Sequence, residues 1–162
     1  MSITTKISET AKAEIDQWIA KYPSDQKQSA VMQALSNVQA ENSGSLTTEL
    51  MDAVADYLEM PKIAVYEVAT FYSMYELKPI GKYKIEVCTN ISCGLCDADK
   101  ILKHLEHRLG VAVGETTSDN KITLREAECL GACVHAPVMQ IGKNYYEKLT
   151  PEKVDEILEQ LN

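Results

Sequence analysis

The chain has 162 residues, 45% hydrophobic and 25% charged, which suits one globular domain or two small ones with a real buried core. Its formal net charge of −8 works against nucleic acid or an anionic lipid surface as the main partner, because both select a basic face. No run approaches the roughly 18 apolar residues of a membrane span. Residues 1–20, with Glu9, Glu14 and Asp16, have neither the apolar segment of a signal peptide nor Arg-rich transit character, so the expectation is a cytosolic chain with no membrane span of its own.

In chain order, Ala11, Ile15, Trp18, Ile19 and Tyr22 recur at helical spacing over residues 7–22, and Pro23 stops the run. Asp25 and Gln28 are spaced as a capping box. They predict a second helix with Val31, Met32, Leu35 and Val38 inward. After the turn cluster Glu41–Ser45, a third helix is predicted from about Thr47, with Glu49 in its first turn and Leu50, Val54, Tyr57 and Leu58 buried. Pro61 suits the first turn of a fourth, in which Val65, Val68, Ala69 and Tyr72 share a face. Phe71 and Tyr72 read as core residues rather than partner contacts. The first part, residues 1–77, is therefore expected to be a helical bundle.

Leu77–Gly81 reads as a linker, and the periodicity changes after it. Tyr83–Val87 alternates as a strand and delivers Cys88 at its end. A helix is predicted from about Gly94 to Leu109, with Ala98, Ile101, Leu102, Leu105 and Leu109 inward and Gly110 as its stop. Residues 122–128 alternate imperfectly and run into Cys129. Val138–Ile141 and Asn144–Tyr146 flank a Gly142-Lys143 turn as a hairpin. Thr150, Pro151 and Glu152 open a last helix with Val154, Ile157, Leu158 and Leu161 inward. Residues 82–162 thus form a second domain, a mixed sheet packed by helices, and the fold class is α+β or α/β. His104, His107 and His135 read as surface or loop residues. No G-x-G-x-x-G or P-loop is present, so this chain is not expected to bind NAD(H) by such a motif.

All five cysteines fall in two stretches, Cys88-Thr-Asn-Ile-Ser-Cys93-Gly-Leu-Cys96 and Cys129-Leu-Gly-Ala-Cys133. Thiols pooled in two loops point to a metal or redox site, and an odd number fits a disulfide framework poorly. Structural zinc takes four thiolates from two short knuckles, but such knuckles usually depend on the metal for their fold. Cys93-Gly94-Leu95-Cys96 is a thioredoxin-type dithiol spacing that leaves Cys88, Cys129 and Cys133 unexplained. Cys133-Val134-His135 resembles half of a Rieske site, with no second half. A [2Fe–2S] cluster needs two thiolates per iron. The first stretch alone matches the plant-type ferredoxin run and would recruit Cys96, whereas a two-loop layout pairs Cys88 with Cys93 and Cys129 with Cys133. Gly131 would let backbone N–H groups approach sulfur in the second loop.

Val65-Tyr-Glu-Val-Ala-Thr-Phe-Tyr72, Cys88-Thr89-x-x-x-Cys93, and Glu128-Cys-Leu-Gly-Ala-Cys133-x-x-Ala136-Pro137 together closely resemble the E-subunit, thioredoxin-like ferredoxin family of NADH:quinone oxidoreductase (respiratory complex I). The resemblance implies a helical N-terminal part and a thioredoxin-like domain with one [2Fe–2S] cluster. Its implied ligands are Cys88, Cys93, Cys129 and Cys133, with Cys96 outside the set. It further implies a partner flavoprotein subunit that binds NADH and FMN, other peripheral-arm subunits, and a place on the cytoplasmic side of the respiratory membrane. There the cluster would take an electron from the flavin off the main chain of clusters. Related subunits serve NAD-linked hydrogenases and formate dehydrogenases. Pro137 lies where thioredoxin-like folds often keep a cis proline.

Overall fold

The computed structural model describes residues 7–161. The chain divides into two compact units, Met1–Pro79 and Ile80–Asn162.

The first unit is built of helices. α1 (Glu9–Ile19) starts where the Ser8 hydroxyl accepts from the Ala11 N–H at 3.0 Å. Tyr22, assigned by periodicity to this helix, lies beyond its end and is exposed. The expected capping box at Asp25 does not form. Residues Lys27–Ala30 make a 3₁₀ turn, and α2 (Val31–Glu41) begins only after it, out of Asp25's reach. α3 (Thr48–Leu58) is capped by Thr47, whose hydroxyl accepts from the Leu50 N–H at 3.3 Å. α4 runs from Lys62 to Phe71, with Pro61 at its cap rather than within its first turn.

Ile15, Leu35, Val54 and Val65 are among the buried side chains that these four helices contribute to one core. The stretch after α4 is tied back to α2. Gln39 donates to the Met74 carbonyl (3.1 Å) and accepts from the Glu76 N–H (2.8 Å), and the Tyr75 hydroxyl donates to the Met32 carbonyl (2.7 Å). Phe71 and Tyr72 do not join the core: they are 81% and 39% exposed. Tyr72 lies past the end of α4, as its extended C-cap residue (φ −89°, ψ 121°), and for Phe71 the reason is helical phase. α4 buries Val65 and Ala69, four apart, and Phe71 is two residues on, about 200° around the axis from Ala69.

The second unit is a four-stranded mixed sheet in the order β2-β1-β3-β4. β1 (Tyr83–Cys88) runs parallel to β2 (Ile122–Ala127), with Tyr83 opposite Ile122 and Cys88 opposite Ala127. β3 (Met139–Ile141) is antiparallel to β1, and β4 (Asn144–Tyr146) closes the predicted hairpin. Between β1 and β2 the expected single helix is two pieces, α5 (Ile91–Leu95) and α6 (Ala98–Leu109). Asn90 caps α5 through its side-chain oxygen, which accepts from the Ile91 N–H at 2.7 Å. Asp97, at φ +66°, then breaks the run. Cys93 and Ala98 are both buried, and on one continuous helix they would point about 140° apart. The break brings both inward. α7 (Pro151–Gln160) has the predicted start, with the Thr150 hydroxyl accepting from the Lys153 N–H.

α6 packs on α7 and on both parallel strands. Ile85, Val87, Leu105, Leu124, Met139 and Val154 make the core. His104 is more than a surface residue: its Nε2 lies 2.9 Å from the Asp155 carboxylate, which also accepts from Arg108 at 2.8 Å, joining α6 to α7.

Candidate metal centre

The parallel register puts both cysteine stretches at one edge. Cys88 ends β1 opposite Ala127, the last residue of β2, so Cys129 follows two residues beyond the same edge. Backbone bonds hold the edge together: the Cys88 N–H donates to the Val138 carbonyl (3.0 Å), and the Thr89 N–H to the Ala127 carbonyl (3.1 Å). The Thr89 hydroxyl also donates to the Glu126 carboxylate.

Cys88 and Cys93 are buried and form, with Ala98 and Val138, a small apolar cluster against which Leu130, Ala132 and Ala136 pack. Cys129 and Cys133 lie in the facing loop and are exposed, and Cys133 opens a short 3₁₀ turn to His135. The Ala136–Pro137 peptide is cis. The Leu149 N–H donates to the Pro137 carbonyl (3.1 Å) and the Lys148 N–H to that of His135 (2.8 Å), so this loop is anchored by the chain leading into α7.

The sulfur atoms have partners of their own. The Cys88 thiol donates to the Glu128 carbonyl at 3.7 Å, and the Gly131 N–H donates to the Cys129 sulfur at 3.4 Å. Gly131 stands at φ +75°, a conformation that L side chains rarely adopt. Burial, and then a hydrogen bond with Cys88, push the Cys93 thiol up to about 11, against a lowering contribution from the Val138 N–H; Cys133 is close enough to add a Coulombic push. Such a thiol is the opposite of an activated one, so Cys93 is ill suited to be the nucleophile of a dithiol pair. Cys96, placed by sequence in the first turn of the long helix, instead closes α5 and is exposed. Among the described residues, no three His, Cys, Asp or Glu side chains gather in a group that could hold one metal ion.

Residues 15–162 match the family model described as thioredoxin-like [2Fe-2S] ferredoxin. The chain belongs to that family. It is 50% identical over 142 residues to the NADH-quinone oxidoreductase E subunit of Rickettsia felis, across 88% of this chain and 85% of that protein. It is 43% identical over 150 residues to the NADH-quinone oxidoreductase E 2 subunit of Rhizobium meliloti, across 93% and 88%. Among solved structures, a chain of an NAD+-reducing [NiFe]-hydrogenase in the H2-reduced state superposes with a TM-score of 0.69 at 18% identity. That match covers 78% of this chain and 22% of the hydrogenase chain, so it spans less than a quarter of that chain and is a likeness of fold.

Membership of a [2Fe–2S] ferredoxin family implies a [2Fe–2S] cluster, and the donor chemistry fits one. Each iron of such a cluster takes two protein thiolates, not three or four on one ion, and four thiols in two pairs are what this edge supplies. Burial raises the Cys93 thiol, and a coordinated metal would stabilise its thiolate. N–H groups aimed at sulfur, as from Gly131, are a recognised means of tuning such centres. The contributions of Val138 and Glu128 were not legible in sequence, because they are made by backbone atoms that any residue type carries.

Proposed function

We propose that this ferredoxin-family chain is the E subunit of an NADH:quinone oxidoreductase. It holds one [2Fe–2S] cluster on Cys88, Cys93, Cys129 and Cys133, which exchanges an electron with FMN in a partner NADH-binding flavoprotein subunit. In the assembled complex it sits among the other peripheral-arm subunits on the cytoplasmic side of the respiratory membrane. Among the described residues no helix is long and apolar enough to cross a membrane.

The observation that carries this proposal is the convergence of the two loops: Leu130, Ala132 and Ala136 of the second pack against the cluster that holds Cys88 and Cys93 of the first, and the Cys88 thiol donates to the Glu128 carbonyl at 3.7 Å. When bound, the cluster supplies one-electron chemistry. The chain's own residues do the rest. β1 and β2 fix the two loops, the apolar cluster of Ala98 and Val138 keeps water from Cys88 and Cys93, and the Gly131 N–H stabilises negative charge on sulfur. No residue is assigned an acid–base or nucleophilic role. The diaphorase subunit of an NAD-linked hydrogenase is the second reading, favoured only by a shared fold. The 50% identity to a quinone oxidoreductase subunit favours the first.

Anaerobic purification of Cys→Ser variants tests the ligand set by EPR of the reduced protein and by iron and acid-labile sulfide content. Cys88→Ser, Cys93→Ser, Cys129→Ser and Cys133→Ser are each expected to lose or alter the signal, and Cys96→Ser to keep it. Loss in Cys96→Ser with retention in Cys88→Ser would overturn the assignment.

A further inference from the structure

The edge that carries the thiols also carries the most exposed large aliphatic side chains among the described residues of its unit. Ile91 and Leu95 are 77% and 84% exposed, and Val134 is 89% exposed. Ile91 and Leu95 are four apart on α5 and share a face, with Cys93 turned inward between them. Val134 stands next to Cys133 on the facing loop, whose Leu130, Ala132 and Ala136 pack against the cluster that holds Cys88 and Cys93. Such side chains are not spent on the core: Ile85, Ile101, Leu105, Leu124 and Ile157 already fill it.

Charge is distributed around these residues in a definite way. Ile91–Cys96 and Cys129–Pro137 contain no Asp, Glu, Lys or Arg, although a quarter of the whole chain is charged. Carboxylates flank both segments. Asp97 and Asp99 follow the first and Glu126 and Glu128 precede the second, all on exposed residues. Asp97 pairs with Lys100 at 2.9 Å, so the net negative charge of this rim rests on Asp99, Glu126 and Glu128. An apolar, charge-free centre inside an acidic rim is the anatomy of one half of a protein–protein interface, not of a solvated loop.

We infer that Ile91, Leu95 and Val134 form the docking face for the redox partner, whose complementary surface is an apolar socket edged by Lys and Arg. This rests on the proposal that the adjacent thiols hold the cluster. Electron exchange falls steeply with distance, so the partner must sit where the thiol loops reach the surface, and that is where these three side chains stand. Burying aliphatic side chains there excludes water beside the thiols, and the acidic rim steers a basic partner and suppresses self-association by like-charge contact.

The test uses the full chain with its cluster and, as probe, the FMN-loaded NADH-binding subunit from the same genome. Binding is followed by calorimetry and by association kinetics at several salt concentrations. Leu95→Asp and Val134→Asp are expected to weaken binding about tenfold or more each, as for interface anchors. Their EPR signal and thermal melt should match the wild type, since the side chains are exposed, and Ile91→Ser, Leu95→Ser and Val134→Ser serve as milder variants. Tyr145→Asp, on β4 at the other side of the sheet, should bind as wild type. Asp99→Asn with Glu128→Gln should slow association and flatten its salt dependence.

Wild-type affinity in the Leu95→Asp/Val134→Asp double variant overturns the docking face and leaves the functional proposal standing. No binding by a wild-type chain with an intact EPR signal overturns the partner as well. Self-association of the chain that the same variants abolish would make a second copy the occupant, and that too overturns the inference.

Discussion

At Gly81 the requirement for one residue type comes from tertiary contact. Its N–H donates to the buried Thr123 hydroxyl at 2.7 Å, and a Cβ there would stand 2.7 Å from the Lys121 carbonyl carbon and 2.8 Å from the Ile122 nitrogen. Those atoms are backbone and lead into β2, so they cannot swing aside as a flexible side chain would. Gly81→Ala is expected to cost about 1–3 kcal/mol, as overpacking of a tight site does. Urea unfolding measures it, and an unchanged midpoint would show that the strand end yields freely. In the sequence this glycine reads only as part of a linker. The cysteines differ in that their chemistry announces them: five thiols in two stretches are visible without a fold, whereas the exposure of Cys96 and the burial of Cys93 three residues earlier are not. The burial of Cys93 beside Ala98 follows from Asp97 breaking the helix at φ +66°.

Between elements, the tie from α3 to α4 is electrostatic as well as apolar. The Asp52 carboxylate accepts from the Lys62 ammonium at 2.7 Å and from the Tyr66 hydroxyl. The Lys62 hydrogen bond, followed by that of Tyr66, holds its carboxyl below the ordinary 3.8. The folded chain therefore binds this proton less readily than the unfolded one. Its contribution to stability is complete above the ordinary value and fades as pH falls through the lowered one. Asp52→Asn is expected to lower stability at neutral pH and to lose part of the acid sensitivity of the helical circular-dichroism signal. Equal acid sensitivity in variant and wild type would show that the tie adds nothing. Side-chain caps in this unit were partly legible: Thr47 acts where its sequence context places it, whereas Asp25 does not, because the chain spends Lys27–Ala30 on a 3₁₀ turn before α2 begins.

For the molecule as a whole, the proposed function makes this chain an electron carrier that would rely on another subunit for the nucleotide. The isolated chain with its cluster is expected to give no binding heat with NADH in calorimetry and no NADH oxidation. Tight NADH binding to the purified chain would contradict that division of labour.

By itself the sequence determined the two sets of elements, the change of period near residue 80, the thiol inventory and the family. Each of these is carried by side-chain type and spacing within short stretches. Only the tertiary structure decided which thiols are buried, which N–H groups serve sulfur, that Phe71 faces outward, and that Ile91, Leu95 and Val134 stand exposed on the two thiol loops. Those facts depend on helical phase, on a break at one left-handed residue and on the register of two parallel strands some forty residues apart. Such relations exist only once the chain has closed on itself.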